Sequence, residues 1–335
     1  MYNKNKIASL LPRKLIYCDV GARWGIEGPW KQFRDIIELI SFEPDREEYK
    51  LLSEKKIPGD EIYPYALWRE PKDVSLNLTR ARGCSSIYEP NTEFLKLYPD
   101  AKRYNVDDVL KVKATSLDVL YEQNKIRNID FIKIDVQGAE LDVLKGGKKL
   151  LLENVLGIEV EVEFHPLYKN QPLFSDIDQY IRQSLGLQIY DLRKAYWKYR
   201  EGINIGPNKG QLIFGDALYL RAPQDIIQWC DGLNTSVANE KILLACQIGL
   251  IYGYIDYGLC LLSQAQKKKI VSKSTIDEWE SLLISYGRSL KYNKAGARVL
   301  SYIFHILYRI FQRSYGGWSY SGHHLGSKKK FGVFY

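Results

Sequence analysis

The chain has 335 residues, of which 45% are hydrophobic, with 48 Lys+Arg against 40 Asp+Glu; this excludes a largely disordered chain and provides core for one large domain plus an appendage. Five scattered cysteines (Cys18, Cys84, Cys230, Cys246 and Cys260) form no CxxC pair and no metal-ligand spacing, which argues against a disulfide scaffold or zinc module and for a reducing, cytoplasmic location. No acidic residue follows Glu280, and nine basic ones do, so the first 280 residues are close to neutral and the composition is not that of a general nucleic-acid binder.

The N-terminus is polar before its first apolar run and lacks a small-residue cleavage site, so no secretory signal is expected. Residues 14–220 then alternate strand and helix patterns. KLIYCDVG is an apolar strand ending at Asp19 and Gly21, and GPWKQFRDIIEL follows as a helix. LISFEP is a strand stopped by Pro44, DREEYKLLSEKK a helix and EIYPYALW an extended segment. Val74–Ser116 breaks the rhythm and reads as an excursion over the carboxyl end of the sheet. DFIKIDV is a strand, AELDVLKGGKKLLLEN a helix, GIEVEVEFH a strand, SDIDQYIRQSLG a helix, and LQIYDL and GQLIFGDALYLR are strands. Such alternation predicts an α/β fold with a doubly wound, mainly parallel, Rossmann-like sheet. The expected division is a domain over 1–221 and a mainly helical, basic appendage over 222–335. Ile242–Leu262 is long enough to raise the question of a membrane span, but Gln247 and Asp256 favour a buried helix, because Asp near a helix centre costs ~2.5–3.5 kcal/mol on insertion.

The chemistry begins at Asp19-Val-Gly21-Ala22-Arg-Trp-Gly25, directly after the first strand. Glycines there allow a tight turn and close ligand approach to the main chain. Glu43 ends the next strand, placed to accept hydrogen bonds from two ribose hydroxyls. The spacing is not GxGxxG and no GxxxxGK[ST] occurs, so a pyrophosphate or triphosphate cradle is disfavoured. A phosphate-free nucleoside remains, which points to S-adenosylmethionine.

The run Phe131-Ile-Lys-Ile-Asp135-Val-Gln-Gly138-Ala-Glu140-Leu-Asp-Val-Leu-Lys-Gly146 resembles the hallmark of the FkbM-type methyltransferases. DVGARWG, SFEPD, Pro64-Tyr-Ala66-Leu67, GCSSIYEP, TSLD and GIEVEVEFHPLY occur in that family's order over roughly 14–220. The resemblance implies a class I, S-adenosylmethionine-dependent O-methyltransferase, in a family often associated with polysaccharide or natural-product formation. The expected cofactor residues are Asp19, Gly21, Ala22, Gly25, Glu43, Ala66 and Asp135.

In GIEVEVEFH, Glu159, Glu161, Glu163 and His165 share one face by period-two geometry and the apolar residues share the other. An internal parallel strand is ordinarily apolar on both faces, so this acidic face must meet cations, water or substrate, or lie at an exposed edge. Glu140 reads as a helix-start charge or a site residue. His165 is the first choice for the base that removes the acceptor proton, because imidazole titrates near neutrality; Asp135 is the second, and Glu163 borders the same pocket. Mg²⁺ held by Asp135, Glu161 or Glu163, and His165 is an alternative, and no metal is called for. The expected acceptor is a hydroxyl of a saccharide or glycan. A small natural product, or a non-catalytic scaffold, are the alternatives. In the tail, Ile303, Ile306, Leu307 and Ile310 recur at helical spacing among basic residues. Residues 281–335 are thus an oligomer or core helix, or a segment that docks on anionic lipid at the inner face of the membrane.

Overall fold

The computed structural model describes residues 4–202, 210–289, 303–304 and 318–320. The elements in chain order are α1 (Lys4–Ser9), β1 (Leu15–Val20), β2 (Ile37–Phe42), α2 (Arg46–Glu54), β3 (Glu61–Tyr63), β4 (Ala66–Leu67), β5 (Lys72–Thr79), α3 (Thr92–Leu95), β6 (Val106–Thr115), α4 (Leu117–Glu122), β7 (Phe131–Ile134), α5 (Glu140–Gly146), α6 (Lys148–Asn154) and β8 (Gly157–Glu163). They continue with α7 (Phe174–Tyr180), β9 (Gln188–Trp197), β10 (Gln211–Leu220), α8 (Pro223–Cys230), α9 (Thr235–Tyr252), α10 (Ile255–Lys267), α11 (Lys273–Ser289) and β11 (Trp318–Tyr320).

An eight-stranded sheet has the order β11-β9-β10-β8-β7-β1-β2-β3. Neighbours from β8 to β3 pair in parallel, whereas β10 runs antiparallel to both β8 and β9. The predicted break at 74–116 is a separate three-stranded sheet, β4-β6-β5. EIYPYALW is divided between the two sheets at Pro64, which cannot donate to a ladder. The helix expected over GPWKQFRDIIEL is instead a 3-10 segment, Gly28–Ile36, with Pro29 in its first turn. The strand starts earlier than its pattern suggests, because Ile37 pairs with Leu15.

The sheet has two differently furnished faces. On one, Ile16, Cys18 and Val20 of β1, Ile132 and Ile134 of β7, and Ile158, Val160 and Val162 of β8 pack against α4–α7. On the other, Leu15, Tyr17, Phe131 and Leu218 pack with Trp30, Phe33 and the helices beyond residue 221, Ile242, Leu261 and Trp279 among them. The helices α8–α11 therefore complete the core of the sheet. The apolar stretch 242–262 is broken at Gly253, which caps α9 in the left-handed region at φ 82°. Gln247 is fully buried. No helix among the described residues is long and apolar enough to cross a membrane. Ile303 is exposed; Ile306, Leu307, Ile310 and the basic residues of the expected lipid-docking segment beyond Ser289 lie outside the described residues.

Candidate active site

At the carboxyl ends of β1, β2 and β7 a cleft opens, enclosing about 820 Å³ with its mouth included. Open α/β sheets place their ligands there, because successive strand ends and helix starts diverge around a crevice. Of the seven expected cofactor residues, Gly21, Glu43, Ala66 and Asp135 line it. Asp19, Ala22 and Gly25 do not: Asp19 and Ala22 are buried behind the wall, and Gly25 closes the turn by donating its N–H to Ala22 O at 2.9 Å. Gly21 is required twice over. Its φ is +80°, and a Cβ would lie 1.9 Å from the carbonyl oxygen of Asp135.

Glu43 is 4% exposed, and its Oε1 accepts the N–H of Asp45 at 2.9 Å. Burial pushes its pKa up to about 7, against the opposing pull of that N–H and of Arg23. Arg23 pairs with Asp45 at 2.6 Å, and Asp45 also caps α2 by accepting the N–H of Glu47. A carboxylate with free acceptor capacity, held at the end of β2, suits the vicinal hydroxyls of a ribose. Gly21 and Glu43 thus bring a close main-chain approach and a carboxylate acceptor to one cleft.

Across the cleft, Asp135 follows β7. It accepts from Gln137 Nε2 at 3.0 Å and faces Lys133 Nζ at 3.5 Å. Burial pulls the Lys133 pKa down, but Asp19, Asp135, Glu159 and Asp216 outweigh it and keep the ammonium charged. Asp19 is driven up to about 6 by burial, opposed by Lys133. The turn after β7 uses two left-handed residues, Gln137 at φ 59° and Gly138 at φ 104°. Glu140 bridges it: Oε1 accepts the N–H of Val136 at 2.9 Å and Oε2 that of Gly138 at 2.9 Å. Glu140 is therefore a buried latch for the turn after β7, a role its first-turn position disguised.

The acidic stripe of β8 is internal, not at an edge, since β7 and β10 flank it. Glu159 accepts from Tyr252 Oη of α9, and Trp30 Nε1 donates to the same hydroxyl at 2.8 Å. Burial raises Glu159 to about 7. Glu161 accepts from Gln137 Nε2, and Glu163 meets no hydrogen-bond donor; burial holds both well above the carboxylate range. The Gln171 amide, itself unpaired at Nε2, tempers the Glu163 shift without meeting hydrogen-bond geometry. Being 1% exposed, Glu163 lies beneath the cleft and does not border it as expected.

His165 also departs from expectation. It is not on the cleft lining; its ring stacks on Phe94 with centroids 5.4 Å apart, and its Nε2 lies 2.7 Å from Gln211 Nε2. Tyr98 and Tyr199 donate to Gln211 Oε1, forming an aromatic shelf beside the Asn91–Leu167 contact. The set Asp135, Glu161 or Glu163, and His165 does not assemble as one ligand group; the carboxylates that converge are Glu140, Glu161 and Glu163.

Trp24 escaped the sequence reading. It is 69% exposed at the mouth of the cleft, adopts φ 70°, and its ring lies where a Cβ on residue 83 would sit, 2.6 Å away, which only Gly83 allows. A large aromatic residue at positive φ is a costly conformation of the kind found at functional sites. A broader depression, enclosing about 1040 Å³ with its mouth included, lies at the opposite strand ends, against Arg13, Arg127 and Lys149. Each of those cations is already paired with a carboxylate, so it has no free charge for a ligand.

Residues 19–189 match the methyltransferase FkbM domain family. The 2-O-methyltransferase NoeI of Sinorhizobium fredii (strain NBRC 101917 / NGR234) is 26% identical over 185 residues, 52% of this chain and 74% of that protein. Among solved structures, the methyltransferase FkbM of Methylobacillus flagellatus KT is 13% identical with a TM-score of 0.35, over 61% of this chain; the chain spans 43% of that protein's length. TrmK of M. capricolum, solved with S-adenosyl-homocysteine, is 7% identical with a TM-score of 0.30, over 84% of this chain and 98% of that one.

Proposed function

Because this chain belongs to the FkbM methyltransferase family and is an S-adenosylmethionine-dependent methyltransferase, we propose that it methylates a hydroxyl oxygen of a saccharide or glycan. The observation that carries the reading is that Glu43 and Asp135 line one cleft, from the ends of β2 and β7 with β1 between them. Glu43 holds the ribose, Gly21 brings the main chain against the ligand, and Asp135 remains for the acceptor. S-adenosylmethionine supplies an electrophilic methyl group that any well-aligned oxygen can take.

Positioning supplies most of the acceleration in such a transfer, and a general base adds ~10²–10⁴-fold. Asp135 is that base in our reading, since it lines the cleft and His165 does not. Lys133 Nζ, 3.5 Å away, holds the Asp135 carboxylate in place. His165 belongs to the aromatic shelf with Phe94 and Gln211, away from the cleft lining, and has no part in the proton transfer in this reading.

Three features favour a neutral, polyhydroxylated acceptor. The exposed Trp24 indole beside Arg82 and Gln137 offers an apolar face with polar edges, as a sugar ring requires. The cleft's three carboxylates, Glu27, Glu43 and Asp135, are matched by three cations, Arg23, Arg82 and Lys133, so its lining has no positive excess to draw in the phosphates of a nucleic acid. The related NoeI is named a 2-O-methyltransferase, so its acceptor atom is an oxygen. The test is transfer of labelled methyl from S-adenosylmethionine to glycan extracts of the host, run beside its RNA and small-molecule fractions. Alkali-stable label in glycan is expected. Label confined to RNA or to small phenols overturns the reading.

A further inference from the structure

Below the floor of the cleft three carboxylates meet without a matching positive charge among the described residues. Glu140, from the first turn of α5, and Glu161 and Glu163, from alternate positions of β8, each offer one oxygen, and these oxygens all lie within 4.8 Å of one another. Glu140 is pinned by the N–H groups of Val136 and Gly138, and Glu161 is held by Gln137. Both keep unused lone pairs. Glu163 is the anomaly. It is 1% exposed, and neither of its oxygens receives a hydrogen bond of good geometry, the neutral Gln171 amide being its polar neighbour.

A buried carboxylate with no donor is costly, by several kcal/mol in real proteins, and the cations of this face are engaged elsewhere. Lys133 sits between Asp135 and Asp19 at 3.5 and 3.9 Å, and Arg193 donates to Asp216 at 2.6 Å. We propose that Glu140, Glu161 and Glu163 bind one hard divalent cation of the Mg²⁺, Mn²⁺ or Ca²⁺ class at the carboxyl ends of β7 and β8. An all-oxygen donor set selects that class. The spread fits as well: metal–oxygen distances of about 2.0–2.6 Å put opposite ligands about 4–5 Å apart. The two oxygens of Glu163 are then the ligand atoms left free for the ion. Gln137, which spans Asp135 and Glu161, separates the ion from the cleft by a single side chain. The proposal is independent of which acceptor is methylated.

The test uses the full chain stripped with chelator and titrated with MnCl₂, following the electron paramagnetic resonance signal of free Mn²⁺. Binding of S-adenosyl-homocysteine, measured on the same samples, reports separately on the cofactor cleft. One Mn²⁺ per chain is expected, with Kd below about 1 mM and displacement by Mg²⁺. Glu161→Gln and Glu163→Gln should each weaken Mn²⁺ at least about tenfold. Glu163→Gln removes a buried charge and should fold; if it does not, the half-buried Glu161 variant alone decides. Full retention of the free Mn²⁺ signal by the wild-type chain, or wild-type affinity in the variants, overturns the proposal and leaves a shared proton as the counter-charge.

Discussion

The two faces of the central sheet solve different problems with the same strands. Toward α4–α7 every inward residue of β1, β7 and β8 is apolar and fully or nearly fully buried. Toward α9 the face begins apolar, with Leu15, Tyr17 and Phe131, and becomes ionic at Asp19, Lys133, Glu159, Glu161, Glu163 and Asp216. The first face stores stability in packing. The second spends part of its core on charges whose burial is unfavourable, as sites of chemistry commonly do. Substitutions on the two faces should therefore fail in different measurements.

The largest separation is expected at Asp135 and Ile158. Asp135→Asn should lower turnover by roughly 10²–10⁴-fold with S-adenosyl-homocysteine binding nearly unchanged in calorimetry; wild-type turnover would remove Asp135 from the mechanism. Ile158→Ala, on the apolar face, should cost about 2–5 kcal/mol of stability in denaturant titration and leave the pH profile of turnover as it was. Next comes Glu43→Gln, expected to weaken S-adenosyl-homocysteine by roughly 30- to 100-fold, about 2–3 kcal/mol, for the charge withdrawn from the ribose hydrogen bonds. Since the Glu43 pKa lies near 7 and the ribose favours its ionised form, wild-type affinity should rise with pH through about 7, and the Gln variant should lose that rise. A flat wild-type profile would detach Glu43 from the cofactor.

Smaller effects sharpen the ionic face itself. Tyr252→Phe takes the hydroxyl donor from Glu159 and an acceptor from Trp30, at a cost of about 1–3 kcal/mol. The pH dependence of stability should also be inverted relative to salt-bridged carboxylates. Asp19 near 6 and Glu43 and Glu159 near 7 lie above their unfolded values, so between about pH 5 and 7 the folded chain binds more protons than the unfolded one. Stability contributed by their protonated forms is present below the unfolded pKa values and lost as pH rises through the folded ones. Melting of the metal-stripped, ligand-free protein should thus occur at a higher temperature at pH 5.5 than at pH 8. The reverse order would mean that these groups are ionised and compensated.

Part of the cleft lining could be read from the chain because its signals are local, although Asp19, Ala22 and Gly25 of the same turn do not reach it. A strand end, a turn that demands glycine and an acid ending the next strand are fixed by residues within a few positions of one another, and the alternation of patterns sets the doubly wound sheet. Gly21, Glu43 and Asp135 were placed by that logic. The rest depended on register between distant strands and on what lands opposite what. Period two put Glu159, Glu161 and Glu163 on one face, but only the flanking of β8 by β7 and β10 made that face internal. Only the left-handed turn at Gln137 and Gly138 folded Glu140 back toward Glu163, and only the approach of β10 gave His165 a partner in Gln211 and moved it off the cleft. Backbone propensity acts over neighbouring residues and is legible one-dimensionally; the meeting of charges across a sheet is decided by packing, where a shift of one residue reverses every side chain.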